Sequence, residues 1–279
     1  MNKTNPPAAD APLAAGQFFG AIRGQFGTGA FTVTTVAHPA ARVVPMHIHE
    51  HPFFSMLVHG RYRERFGRRH WDARPLGMVL RPPQAEHCDE IGPGGAVFLC
   101  VDVSRGFWEA MGRADIRLER GAFENRAMSA TALRLLREVC EARADAPRAA
   151  EALIVELIAE YTQMPAASGR AKPRWLGRAL EQLHQDPAAA SLSGVARELD
   201  LHPVYVTRMF KRHTGRTLHR YLRELRLHRA TQDLLADQEA LAALADRHGF
   251  ADQSHLTREL RRETGWSPGR LRCACEAMR

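Results

Sequence analysis

Three histidines stand where imidazole nitrogens could act together. His47 and His49 are two residues apart, so on an extended strand both side chains leave by the same face. His87 follows ten residues after Gly77, with Pro82 midway, and is placed to join them from another strand. Neutral imidazole binds divalent ions such as Zn²⁺, Fe²⁺ or Ni²⁺. It equally lines small-molecule pockets or satisfies polar atoms at a sheet rim. All three uses stay open at this level. A second set of residues suits a different chemistry. Arg208 and Arg258 lie fifty residues apart, each in a short basic segment beside apolar positions at helical spacing. A guanidinium forks onto the edge of guanine, and a glutamine amide pairs with adenine in the same bidentate way. Gln253, Ser254 and Arg258 are therefore the candidate base readers of one segment, and Val204, Thr207 and Arg208 those of the other. Val204 or the Thr207 methyl would meet a thymine methyl. Lys211, Arg212, Arg216, Arg261 and Arg262 flank these readers and suit phosphates, or else form a solvated face.

The elements that must position these side chains are legible nearby. In Gly249–Arg272, Phe250, Leu256 and Leu260 share one apolar face. Asp252 suits the N-cap of a helix whose first residue is Gln253, and Gly265 suits a left-handed stop. Ser267-Pro268 then reads as a cap followed by proline at the first helical position. Leu201–Tyr221 repeats this design. Thr207, Arg208, Arg212, Thr214 and Gly215 recur as Thr257, Arg258, Arg262, Thr264 and Gly265, while Val206 and Phe210 recur as Leu256 and Leu260. Apolar and basic positions stay in phase, so this is an internal repeat. His202 occupies an N-cap, a role it fills poorly. Leu218–Leu235 predicts a long helix between the two copies, setting them about one duplex turn apart, ~34 Å. Trp175, Leu176, Ala179, Leu180 and Leu183 begin an amphipathic helix ahead of the first copy.

The N-terminal half reads differently. Phe31–Val36, Phe53–Val58, Tyr62–Phe66, Met78–Leu80 and Ala96–Val103 are strand candidates, with breaks expected at Gly60, Gly67, Gly77 and Gly92–Gly95. Many short strands favour an antiparallel sandwich or barrel. From Met128 to Met164 the spacing turns helical. Leu133, Leu136, Val139 and Cys140 form one stripe, and Leu153, Ile154, Leu157, Ile158 and Tyr161 a second. A helical hairpin follows, packed on the sheet or forming a homodimer interface, since two copies of a DNA-reading chain would match paired half-sites.

The chain has 279 residues and a formal net charge of +8, which suits an acidic partner. Its five cysteines, Cys88, Cys100, Cys140, Cys273 and Cys275, form no regular framework and read as reduced thiols. No signal peptide and no apolar run of membrane length is found, so the expected location is the cytoplasm, in association with DNA. No nucleophile elbow, phosphate loop or dinucleotide fingerprint occurs.

The stretch Gly249-Phe250-x-Asp252-Gln253-Ser254-x-Leu256-Thr257-Arg258, with Gly265-x-Ser267-Pro268 and Arg272, resembles the AraC/XylS-type regulators, which carry two helix-turn-helix units in one chain. The resemblance spans Pro173–Arg272, and Leu260 departs from it where the family usually has Phe. The histidines look like the two motifs of a cupin barrel, where an HxH pair and a later His hold a divalent metal. The Glu expected four or five residues after the second His is replaced by Phe53 and Phe54, and Glu50 comes too early, on the other face.

The resemblance implies an α+β chain of two domains: a disordered tail over 1–15, a cupin-like antiparallel β-barrel with its helical hairpin over 16–164 (hairpin 128–164), a linker over 165–172, and an all-α tandem helix-turn-helix domain over 173–279. The implied function is a transcription regulator that binds double-stranded DNA under control of a small-molecule effector near His47, His49 and His87, contacts RNA polymerase, forms a homodimer, and is not an enzyme. No cofactor is implied, a divalent metal on those three histidines being the alternative. Two rivals remain: a constitutive DNA-binding protein with a structural barrel, and a metal-dependent cupin enzyme fused to a DNA-binding tail.

Overall fold

A computed structural model of the chain describes residues 12–113, 121–141, 145–164 and 174–279. The expected linker 165–172 and most of the expected tail lie outside the described residues. The chain is mixed, with one antiparallel sheet and ten helices among the described residues. It divides into two compact units: residues 1–164 together with Glu263–Arg279, and Pro165–Arg262. The last seventeen residues thus group with the first unit, which differs from the reading of 173–279 as one piece.

In the first unit, strands β1 (Ala21–Gly27), β2 (Phe31–His38), β3 (Arg42–His47), β4 (Phe53–Phe66), β5 (Arg69–Ala73), β6 (Met78–Arg81), β7 (His87–Val103) and β8 (Gly121–Phe123) form the sheet. Its main path runs β1-β2-β7-β4-β6-β8, with β3 added on β7 and β5 on β4. The two long strands correct the sequence reading. Tyr62–Phe66 continues Phe53–Val58 rather than starting a new strand, and Gly92–Gly95 lies inside β7 rather than forming a turn. Both glycine sites are bends within strands. β7 pairs with β3 up to Ile91 and with β2 from Ala96, so the Gly92-Pro93-Gly94-Gly95 segment is where it changes partner. Gly60 faces this point at φ 96°, and a Cβ there would sit 2.1 Å from the Gly95 carbonyl oxygen. Only glycine admits that approach with that backbone. Each long strand thereby serves two sets of neighbours, and its two halves contribute to one core containing Val36, Leu57, Tyr62, Ala73, Ile91, Ala96, Phe98 and Cys100.

Helix α1 (Arg105–Arg113) follows β7. Helices α2 (Arg126–Glu141) and α3 (Ala146–Thr162) pack together as the expected hairpin. Met128, Ala132, Leu133, Leu135 and Leu136 are buried on α2, and Ile154, Leu157 and Ile158 on α3. Cys140 is exposed, because the buried stripe runs out before the last turn of α2. On α3, Val155 is left half exposed, at 50%. Helix α10 (Pro268–Met278) belongs to this unit. Trp266 Nε1 donates to the Leu133 carbonyl at 3.2 Å, and Arg23 donates to the carbonyls of Met278 and Arg279.

The second unit holds α4 (Arg174–Gln185), α5 (Leu192–Glu198), α6 (Pro203–Thr214), α7 (Leu218–Ala236), α8 (Leu241–Arg247) and most of α9 (Gln253–Thr264). Leu176, Ala179 and Leu183 of α4 meet Val195, Ala196, Val206, Phe210, Leu218 and Leu222 in one core. Arg226 of α7 pins the turn before α5 by donating to the carbonyls of Pro187, Ala188 and Ala190.

Candidate functional site

Two places gather the residues singled out by the sequence. The first is the interior of the sheet in the first unit. His47 ends β3 and His87 starts β7, and the register places them directly opposite each other. His49 is fixed two residues beyond β3, where Leu13 bridges it and the Ile48 carbonyl accepts from the Leu13 amide at 2.9 Å. Period-two alternation buries both His47 and His49, as expected. The ring centroids of His47 and His87 are 4.1 Å apart, and each of the three residues offers a ligand nitrogen within 4.8 Å of the others. Phe19 packs edge-on against His47, and the Phe18 ring lies tilted against His49. Phe53, standing where a carboxylate would complete a cupin-type ligand set, lies 4.3 Å from the His49 ring.

The protonation of this cluster follows from its surroundings. His47 Nδ1 lies 2.9 Å from the Pro45 carbonyl and His87 Nδ1 3.1 Å from the Ala85 carbonyl. A carbonyl only accepts, so Nδ1 carries the proton in both rings and Nε2 is left with a lone pair. Burial lowers all three pKa values. His47 falls to about 4 and His49 to about 2, and Arg81 adds to the depression at each ring. The three imidazoles are neutral at pH 7.

The same cavity contains a buried ionic network that the sequence reading missed. Arg81 closes β6 and donates through Nε to Glu64 Oε1 at 2.9 Å, through Nη1 to Ser55 Oγ at 3.1 Å and through Nη2 to Tyr62 Oη at 2.6 Å. Its side chain is 4% exposed and that of Glu64 0%. Tyr62 in turn donates to Asp89 Oδ1 at 3.0 Å, and the Arg81 guanidinium sits over the Phe53 ring. Burial pushes the Asp89 carboxyl up to about 7 against the pull of Arg81. The available hint was Tyr62-x-Glu64 on the buried phase of β4, a charge in step with core residues. Between the imidazoles and this network lies a cavity of about 40 Å³, also lined by His38, Phe98 and Cys100.

The second place is the pair of helices α6 and α9. Each is preceded by a short helix, α5 or α8, and a tight turn. His202 does cap α6, its Nδ1 accepting from the Val204 amide at 3.3 Å, with Pro203 in the first position. Asp252 Oδ1 accepts from the His255 amide at 2.7 Å at the start of α9. Gly215 and Gly265 end the two helices in the left-handed conformation, at φ 72° and 76°. Val206, Phe210, Leu256 and Leu260 face inward, as the repeat required. Val204, Arg208, Gln253, Ser254 and Arg258 are exposed, and Thr207 is half-buried. The Thr207 hydroxyl donates to the Pro203 carbonyl at 2.9 Å, so its methyl is the group left without a bonding role. Lys211, Arg212 and Arg261 are exposed. Arg216 is engaged by Glu224, and Arg262 by Glu259, so two of the five predicted phosphate contacts already have carboxylate partners.

Comparison with known proteins bears on the second place. The sequence profile of a family described as "Helix-turn-helix domain" matches residues 195–274, which include α6 through most of α10. Over 84 residues the chain is 38% identical to the HTH-type transcriptional activator RhaS of Escherichia fergusonii, and over 65 residues 43% identical to RhaS of Enterobacter sp.. These segments span 30% and 23% of the respective relatives, so the chain matches less than a third of their length. Among solved structures, the C-terminal domain of AraT, a response regulator from Geobacillus stearothermophilus, aligns at 26% identity over 38% of this chain and 88% of that one, with a TM-score of 0.35.

Proposed function

We propose that this chain is an AraC/XylS-type regulator that binds specific DNA sequences and regulates transcription in response to a small-molecule effector held in its first unit, a reading supported by the helix-turn-helix match over residues 195–274 and by the 38% identity to RhaS over 84 residues. The observation that carries this reading is the repetition, inside the matched segment, of a capped, solvent-facing helix with Arg208 or Arg258 in its second turn. In this reading α5–α6 and α8–α9 are tandem helix-turn-helix units. The N-terminal turns of α6 and α9 enter successive major grooves. Val204, Thr207 and Arg208 read one half-site, and Gln253, Ser254 and Arg258 the other. Lys211, Arg212 and Arg261 contact phosphates, and Arg216 and Arg262 do so by exchanging Glu224 and Glu259 for phosphate oxygens. The nineteen residues of α7 span about 28 Å, of the order of one duplex turn, and hold the units at a fixed distance.

The sheet of the first unit is, on this proposal, a cupin-like barrel that senses rather than catalyses. Its cavity of about 40 Å³ suits a ligand of few atoms, or a larger one after wall movement. Effector binding favours one arrangement of the regulator over another and shifts DNA affinity by that preference. Contact with RNA polymerase and assembly into a homodimer follow from the family resemblance. The test is selection of random duplexes with the full chain, followed by gel-shift titration across salt concentrations. A recovered consensus with two elements about ten base pairs apart, bound with a steep salt slope, supports the reading. Binding with no sequence preference at any salt concentration counts against it.

A further inference from the structure

Sulfur is concentrated where α2 and α10 meet in the first unit, and we propose that Cys140, Cys275 and Met278 together bind a soft univalent ion of the Cu⁺ class. The site shares no residue with the histidine cluster, and the proposal does not require the regulatory reading. Its geometry is a meeting of two helices. Cys140 lies in the last turn of α2, and its Sγ is 3.9 Å from Met278 Sδ on α10. Cys275 and Met278 are three residues apart, on the face of α10 that also carries Leu271, and all three are buried. Burial, and after it the neighbouring Cys140, push the Cys275 thiol up to about 12, and one thiol acts on another in this way only at close range. Metal–sulfur bonds of about 2.3 Å place three sulfurs about 4 Å apart around an ion at their centre. Cys140 and Met278 already hold that spacing.

The donor set decides the class of ion. Two thiols and a thioether are soft ligands and select Cu⁺, whereas Mg²⁺ and Ca²⁺ require oxygen and structural Zn²⁺ takes four thiolate, imidazole or carboxylate donors. The nearest carboxylates along α2 are engaged elsewhere, Glu138 by Arg137 at 3.2 Å and Glu141 by Arg270 at 3.6 Å, which leaves sulfur as the donor. The two helices are held in register. Trp266 Nε1 donates to the Leu133 carbonyl at 3.2 Å, and Arg23 Nε donates to the Met278 carbonyl at 3.1 Å. A cavity of about 930 Å³ reaches Cys140 and Met278 and gives an ion its way in. Binding replaces the two thiol protons with the ion. Two thiolates and one univalent cation leave a single negative charge, which Arg23 and Arg270 on the cavity wall offset.

The experiment uses the untagged full chain, reduced, stripped of metal and kept under nitrogen. DNA is absent from every arm, so the outcome is independent of the regulatory proposal. Cu⁺ is delivered from an excess of bicinchoninate, whose coloured complex reports how much ion the protein withdraws, while the near-ultraviolet thiolate-to-copper absorption is followed in parallel. One equivalent should be withdrawn with that absorption, and excess Zn²⁺ should not displace it. Cys140→Ser and Cys275→Ser should each weaken binding by more than the ~10–100-fold cost of losing an outer-shell partner, and Met278→Leu by about tenfold. His87→Gln, in the histidine cluster, and Cys273→Ser, exposed on α10, should leave the affinity unchanged. Should Cys275→Ser fail to fold by circular dichroism, Cys275→Ala replaces it with the same loss expected, and Cys140→Ser, at an exposed position, carries the test in either case. No withdrawal of ion, or one-equivalent binding that survives the substitutions at Cys140 and Cys275, overturns the assignment. Loss of binding on His87→Gln or Cys273→Ser overturns it as well.

Discussion

At the residue scale, the functional weight falls on a few side chains whose chemistry is set by their neighbours. Arg258 is exposed on the second turn of α9, and no ion pair competes for it among the described residues. Arg258→Ala should weaken binding to the selected operator by about 1–3 kcal/mol and blur the preference at one base pair, read by gel shift at fixed salt. An unchanged affinity and consensus would remove it from the readers. Asp102 offers a test of the first unit. Its carboxylate accepts from the Gly16 amide at 3.0 Å, yet burial pushes its pKa up to about 7. The folded state therefore keeps a proton that the unfolded chain releases near pH 4. Stability is lost as pH rises between those two values, on the order of 1 kcal/mol per pH unit. Asp102→Asn, whose amide oxygen still accepts from Gly16, should remove that loss. Urea melts at pH 4 and pH 7 should show the variant gaining on the native protein only at the higher pH. The histidines were legible because two residues is the period of a strand. The Arg81–Glu64 pair was not, since seventeen residues of sequence separate partners that only sheet register brings together.

At the element scale, the two long strands are the organising feature of the first unit. Reading Gly60 and Gly92–Gly95 as chain breaks splits each strand in two, because glycine clusters usually end regular structure. In the folded protein they let β4 and β7 bend past each other and exchange neighbours. Gly60→Ala should destabilise the unit by more than the ~1 kcal/mol typical of a strained φ, because its Cβ would meet the Gly95 backbone as well. Chemical denaturation compared with Gly29→Ala, at a similar positive φ of 72° but in open space, separates the steric part from the backbone part. If both variants lose the same stability, the close approach has no energetic weight. The helical pairs were far easier to read. Caps at Asp252 and Ser267, the stops at Gly215 and Gly265, and the inward Val206, Phe210, Leu256 and Leu260 are local signals that need no distant partner.

At the scale of the whole molecule, the regulatory proposal expects two copies of the chain on paired sites. The hairpin of α2 and α3 leaves Val155 half exposed, with Ala152 and Ala159 also exposed on the same helix, a suitable centre for such a contact. Val155→Arg should convert a dimer into a monomer in sedimentation velocity, with melting temperature unchanged within error. A wild-type chain that sediments as a monomer with and without DNA would count against the paired arrangement. By itself, the order of residues determined the paired capped helices that expose Arg208 and Arg258 and the histidine triad, since helix caps, repeat phase and strand alternation are all short-range rules. Tertiary structure alone decided the continuity of β4 and β7, the buried Arg81–Glu64–Tyr62–Asp89 network and the grouping of Glu263–Arg279 with the first unit. Each of those depends on which distant segments meet, and burial, which sets the pKa of Asp89 and Asp102, exists only once they have met.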